Sequence, residues 1–351
     1  MSVGENVLVG NLSYLAIGRE VTYGTYVTAT AGIAFMSASM KTTKETKILE
    51  EIQTSRTNSH SIQLGKTVEG EIEAVMSGRA LGLQYLLQNA FGGGPVTSAT
   101  ATGDTTGSVS FTHQVDIANF NTTYSSLSMN VRKGPATTGK IFEYCGVRVN
   151  EMGLKAEIDE PLMATFSVIA KDSTLSANDV SSLLDTLTAS QVPLSFVDGR
   201  FSVETAPDSL TTTSFWHVQS FEFKISNNLN SDSASRRIGS DVIGVLPAGL
   251  AQFSLSAAIR FDTTTAFDAM IAGTRLAAEF EFLGATLPGS SLRERLKITM
   301  PYVVISDAGD PEISSAQDPL TSQVTFAVLR DPTTSGYAVR ATVLNNTASY
   351  A

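Results

Sequence analysis

"SFEFKISNNLNSDSASRRIG", residues 220–239, begins as a strand and does not turn. Phe221, Phe223 and Ile225 alternate with Glu222 and Lys224, a period of two that sends apolar groups to one face and charges to the other. A polar run then continues from Asn227 to about Ala248 before the next alternation, "LAQFSLSAAIRF" (250–261). Connections beyond roughly 12–15 residues are uncommon in compact domains unless they have a role or are disordered.

The same order of events occurs earlier in the chain. "FMSASMK" (35–41) sets Met36, Ala38 and Met40 against Ser37, Ser39 and Lys41, a polar run follows, and "TVEGEIEAVM" (67–76) alternates again. Each polar run holds a Ser-Arg pair, Ser55-Arg56 and Ser235-Arg236. A helix is expected next in both places: "SGRALGLQYLLQNAFGG" (77–93), with Ser77 as N-cap and Gly92 as stop, and the shorter "DTTTAFDAMIAGT" (262–274), ended by Gly273. The strands "YSSLSMNV" (124–131) and "LAAEFEFLG" (276–284) follow, and each half closes on a matching strand, "PLMATFSVIAKD" (161–172) and "PLTSQVTFAVLRD" (319–331). Two copies of one unit are therefore expected, each reading strand, long polar loop, strand, helix, strand, connection, strand. The first occupies 1–172 and carries a Gly/Thr-rich insertion at 92–110, the second occupies 193–351, and 173–192 holds an amphipathic linker helix capped near Asn178.

Composition limits the function. The 351 residues are 42% hydrophobic and only 17% charged, with net charge −10 and pI near 4.9, which disfavours tight capture of nucleic acid phosphate. The lone Cys145 excludes an intrachain disulfide and reads as a buried, inert thiol. The first eighteen residues contain no basic residue and include Glu5, which argues against a secretory signal, and no stretch has the apolar length of a membrane span. "HSIQLGKT" (60–67) ends like a phosphate-binding loop, but His60 stands where the first glycine belongs and a strand follows instead of a helix. His60, His113 and His217 have no metal-ligand spacing, and no nucleophile elbow occurs, so neither enzyme chemistry nor a cofactor is expected.

"AIGREVTYGTYVTA" (16–29), with Glu20, Thr22, Tyr23, Gly24 and Thr25, followed by "KTTKETKILEEIQTSR" (41–56) and the repeated architecture, resembles the tail tube proteins of long-tailed bacteriophages, a family shared with gene transfer agents. The resemblance implies a mainly β fold of two tandem β-sandwich units, each with a flanking helix and a long inter-strand loop. It implies rings of such units stacked into a tube in the virion tail, made first in the host bacterial cytoplasm. The partners it implies are further copies of the chain, a tape measure protein in the lumen, tail tip and terminator proteins, and DNA in passage without sequence-specific binding. No membrane partner is expected.

In relatives the loop between the first two main strands reaches out and docks on neighbouring subunits or on the adjacent ring. That assigns residues 42–66 and 227–248 to interfaces, with Lys44, Glu45, Lys47, Glu50, Glu51, Arg56, Asn228, Asp232, Arg236 and Arg237 as contact candidates. Simple tube proteins form sixfold rings, so a duplicated chain is expected to form a pseudo-sixfold ring from three copies. With four strands per unit the ring has roughly 24 strands, a backbone diameter of roughly 48 Å and a bore of about 38 Å, wide enough for a duplex of about 20 Å. Glu69, Glu71 and Glu73 share one strand face, as do Glu279 and Glu281, and all five are candidates for an acidic wall that repels phosphate. The alternative is a β-sandwich carbohydrate-binding or adhesion module, marked by clustered exposed aromatics or calcium-loop carboxylates, neither of which is evident.

Overall fold

The computed structural model describes residues 10–52, 54, 56–92, 96–100, 110–117, 125–184, 192–205, 210, 215–309, 311, 319–332 and 336–348. The fold is mainly β and antiparallel. Its elements run β1 (Tyr14–Arg19), β2 (Ala31–Ile33), β3 (Ser37–Leu49), β4 (His60–Val75), α1 (Leu81–Ala90), β5 (Thr97–Thr100), β6 (Phe111–Asp116), β7 (Leu127–Lys133), β8 (Lys140–Glu157), β9 (Met163–Ala170) and β10 (Asp172–Ser176). The chain continues through β11 (Gly199–Glu204), β12 (Val218–Ser226), β13 (Gln252–Arg260), α2 (Thr265–Ala272), β14 (Leu276–Thr286), β15 (Arg293–Ala308), β16 (Thr321–Val328) and β17 (Arg340–Asn345).

Backbone ladders place eight of these strands side by side in the order β3-β4-β9-β8-β12-β13-β16-β15. One apolar row crosses seven of them: Ala74, Ala164, Leu154, Phe223, Leu255, Phe326 and Ile305. Alternation sends these residues to one side of the sheet, where they are buried. The row beside it, Ser39, Glu71, Ser167, Glu151, Ser226 and Gln252, lies on the opposite, polar face.

The second layer covers the apolar face. β8 and β15 are long enough to serve both layers: their N-terminal halves pair with β7 and β10, and with β14 and β17, before a bulge lets each continue into the eight-stranded sheet. β1 joins β7, and β11 joins β14, so the second layer repeats its order as well. Across the core, Phe221 and Phe223 of β12 meet Phe280 of β14 with ring centroids 4.7 and 5.6 Å apart. Such aromatic pairs add roughly 0.5–1.5 kcal/mol each beyond the area they bury.

The helices lie where the sequence places them, with a different cap. Ala80, not Ser77, is the N-cap of α1, and the Ser77 hydroxyl is turned toward Glu294. Gly92 (φ 88°) follows α1, and Gly273 (φ 60°) ends α2 in the left-handed conformation that glycine adopts without strain.

Several expectations are corrected. Residues 42–66 are not all loop: β3 and β4 stay paired out to Leu49 and His60, so most of the run is a two-stranded ribbon. Both faces of that ribbon are in solvent, so no apolar alternation marks it. The expected "connection" is, in each half of the chain, a long strand, β8 or β15. Part of the 92–110 insertion is also strand, since β5 pairs with β6 and β6 with β17, which ties first-half residues into the second-half layer. The linker region opens with β10, paired to β8, and the expected helix is a short 3-10 turn at Ser181–Leu184; residues 185–191 lie outside the described ones.

Candidate functional site

Two surfaces stand out, the ribbon that projects from β3 and β4 and the polar face of the eight-stranded sheet. β4 gains its second neighbour, β9, only from Val68 onward, so Thr43–Leu49 and His60–Thr67 form a two-stranded arm leaving the body. It displays Ile48, Ile52 and Ile62 to solvent, Ile52 completely.

The second polar run, 227–248, grips the base of this arm within the same chain. Asn227 anchors it, donating to the carbonyls of Ala90 and Val149 at 2.9 and 3.0 Å. The Arg236 guanidinium reaches the Lys66 carbonyl at 3.0 Å, the Asp241 carbonyl at 2.9 Å and the Thr67 hydroxyl at 2.9 Å. It lies so close over β4 that a side chain at Gly65 would collide with it. Lys66 donates its amide to the Asp241 carbonyl at 2.7 Å, and its ammonium binds Asp172 at 2.5 Å. Lys44 pairs with the Asp241 carboxylate at 2.9 Å. Arg236→Ala is expected to cost about 1–3 kcal/mol, since it removes a charged donor from three acceptors. Chemical unfolding compared with Arg237→Ala, an exposed neighbour, checks this.

The clasp carries a pH dependence. The Lys44 hydrogen bond and charge hold the Asp241 carboxyl below the usual carboxylate range. A depressed folded value stabilises above the unfolded value and loses that contribution as pH falls through the folded one. Hydrogen exchange at the Lys66 amide is therefore expected to stay slow near neutrality and to accelerate only below about pH 4, once pH-dependent intrinsic exchange is divided out.

Of the other contact candidates, Glu51 pairs with His60 at 2.9 Å, and Asn228 (φ 46°) donates to the Leu250 carbonyl at 2.7 Å. Asp232 accepts from the Ser235 amide in a turn. Glu45, Lys47, Glu50, Arg56 and Arg237 are on the exposed surface of the arm or loop, and Ser55 lies outside the described residues.

The acidic candidates separate into two sets. Glu69, Glu71 and Glu73 lie on the polar face, joined by Glu151, Glu157 and Glu222 and by Lys41, Lys155 and Lys224. Lys155 and Lys224 each bind a glutamate of their own strand at 2.7 Å, and Lys41 stands directly across from Glu69. Glu71, Glu73 and Glu151 have no basic partner among the described residues, and a groove of about 520 Å³ runs past them. Glu279 and Glu281 are elsewhere. They face outward from the second layer, half-buried between Arg200, Arg295 and Lys297 at 3.1–3.6 Å, and so lie on a different face from Glu69, Glu71 and Glu73.

The N-terminal motif is structural. The buried Glu20 carboxylate accepts from the amides of Gly24 and Gly146 at 2.8 and 2.7 Å and from the hydroxyls of Ser126 and Ser128 at 2.5 and 2.9 Å. Gly24 has φ 71°, as the turn requires. Gly65-Lys66-Thr67 lies within β4, at the base of the arm, with Lys66 committed to Asp172. Burial pushes the Cys145 thiol up, away from the reactive thiolate. Among the described residues there is no cluster of three or more His, Cys, Asp or Glu side chains suited to a metal ion, and no helix is long and apolar enough to cross a membrane.

The model of the phage tail tube protein family matches residues 10–336, from the first described residue to a point just before β17. The chain belongs to that family. Tail tube proteins are structural components of the virion tail and self-assemble into stacked rings, so this chain is a tube subunit and not an enzyme. Among solved structures, one titled "Crystal structure of Hcp protein" matches with 11% identity and a TM-score of 0.24, covering 37% of this chain and 86% of that one. No curated protein matches.

Proposed function

We propose that the two halves are copies of one tube unit and that three chains close into a ring whose inner wall is the polar face of the eight-stranded sheet. The carrying observation is the repeated pairing order: β3-β4-β9-β8 in the first half and β12-β13-β16-β15 in the second, already joined through β8 and β12. Three such sheets give roughly 24 strands and a bore of about 38 Å, which admits a duplex. The arm of β3 and β4, held at a fixed angle by Arg236 and Lys66, reaches the neighbouring ring. The tape measure protein fills the lumen during assembly, tip and terminator proteins cap the ends, and DNA follows on ejection.

The wall is built for sliding. Serine, threonine and glutamate dominate it, and Glu71, Glu73 and Glu151 repel phosphate within a Debye length of about 8–10 Å. Replacing Glu69, Glu71 and Glu73 with lysine is expected to leave tubes intact and to slow DNA ejection, most strongly at low salt. Replacing Glu279 and Glu281 with lysine is expected to lower stability, because three cations lose their partners, and to leave ejection by surviving tubes unchanged. Normal ejection kinetics in the first variant would remove the acidic wall from the account.

A further inference from the structure

The two ends of the eight-stranded sheet are open where their counterparts inside the chain are closed. β8 pairs with β7 and then, on the same side, with β12. β15 pairs with β14 as far as Val303 and, among the described residues, has no strand on that side over 304–308. At the other end β12 has two neighbours, β13 and β8, whereas β3, among the described residues, has only β4. Each open edge lacks the strand that the other edge would supply.

Side chains repeat the message. Met36, at the start of β3, is 68% exposed, whereas Phe221, its counterpart in β12, is 6% exposed. α1 is almost wholly buried, whereas α2, beside the open edge of β15, shows Phe267 and Ile271 to water. The Gly309 amide donates to Gln323 on β16, so the adjacent Ala308 amide points outward, where among the described residues it meets only the Met270 thioether at 3.2 Å. A thioether is a weak acceptor, and a strand carbonyl is the stronger replacement.

We infer that β3 of one copy pairs antiparallel with residues 304–308 of β15 in the next, in the register that β12 and β8 use within the chain. That register follows residue by residue. Leu154 and Gly153 stand across β9 from Ala164 and Thr165, and Ala308 and Asp307 stand across β16 from Val324 and Thr325, in the matching segments ATF and VTF. Phe223 and Lys224 face Leu154 and Gly153, and occupy the places in the first-half sheet held by Ala38 and Ser39. Ala38 therefore faces Ala308 and Ser39 faces Asp307 across the joint. The partner is a second copy of this chain, held by main-chain hydrogen bonds with Met36 and the exposed side of α2 covered by the contact. The inference rests on the three-copy ring, and adds which residues meet.

The test uses Ser39→Cys with Asp307→Cys in a Cys145→Ser background. The outward Ala308 amide makes Ala38 and Ala308 the hydrogen-bonded pair, so Ser39 and Asp307 form the close, non-bonded pair about 4.5 Å apart between Cα atoms, within disulfide reach. Within one chain the two positions are roughly 30 Å apart across the sheet, too far to join. Mild oxidation of assembled protein is expected to give covalent dimers and a limiting covalent trimer on non-reducing gels, while either single cysteine gives none. Three-chain rings in the electron microscope that cross-link through Ser37→Cys and Asp307→Cys instead, or through neither pair, overturn the register and leave the ring standing. Protein that neither forms rings nor cross-links at any concentration overturns both.

Discussion

Glu294→Ala is expected to destabilise the protein by about 3–5 kcal/mol, the cost of leaving a buried guanidinium without its carboxylate. Glu294 is wholly buried on β15, in phase with Leu296, Ile298 and Met300. It accepts from the backbone amides of Gly78 and Arg79, the latter at 3.1 Å, from the Ser77 hydroxyl at 3.3 Å, and pairs with Arg79 Nε at 3.3 Å. Arg79 also holds the Thr286 carbonyl at 2.8 Å, so one ion pair ties the entrance of α1 to the second half of the chain. Adding Arg79→Met to the alanine variant is expected to recover part of the loss, because the unpaired charge then disappears.

Burial pushes the Glu294 carboxyl above the usual carboxylate range, against the pull of the Gly78 amide, Arg79 and Ser77. A raised folded value means that its stabilising contribution is complete below the unfolded value and is lost as pH rises through the folded one. Acid therefore loosens the Asp241 clasp, and at Glu294 it replaces the charge pairing with Arg79 by a neutral carboxyl that burial favours. Urea unfolding of the variants at two pH values measures both effects; a loss under about 1 kcal/mol for Glu294→Ala would show that the pair is not holding the halves together.

Shortening the arm is expected to abolish tubes without unfolding the subunit. Lys44 and Lys66 face each other across β3 and β4, so residues 45–65 can be replaced by Asn-Gly, a two-residue hairpin turn that preserves the ladder below it. The cut keeps Lys44 on Asp241 and Lys66 on Asp172, and the described residues it removes are not part of the core cluster. Ile48, Ile52 and Ile62 go with it, and their exposure has no explanation in the isolated subunit. Thermal unfolding within a few degrees of the parent, with no tubes by negative stain, is the expected pair of results. Abundant tubes from the shortened chain would show that rings stack without the arm.

The alternating strands of the inner sheet were legible because one face of each is buried: Phe221, Phe223 and Ile225 declare β12 as clearly as Val68, Ile72 and Ala74 declare the inner part of β4. The outer arm was not, because "KTTKETKIL" is solvated on both faces and its order comes from the ladder alone. β8 and β15 read as connections because each changes layers part-way, so neither face stays buried along its length. Arg236 reads in the sequence as a candidate for contact between subunits; its acceptors on Lys66, Thr67 and Asp241, all in the same chain, are brought to it by folding. Glu294 left a signal that went unread, a carboxylate in the apolar phase of a strand. Glu279 and Glu281 repeat the pattern of Glu69, Glu71 and Glu73 on a strand of the other layer, a difference that pairing determines and alternation does not.

The most direct measurement is an electron cryomicroscopy reconstruction of the assembled tube. The account expects three chains in each layer, β3 seated beside β15 of the next copy, and Glu69, Glu71, Glu73 and Glu151 facing the bore. Six chains per layer, or a bore lined by β14 with Glu279 and Glu281 pointing inward, would contradict it.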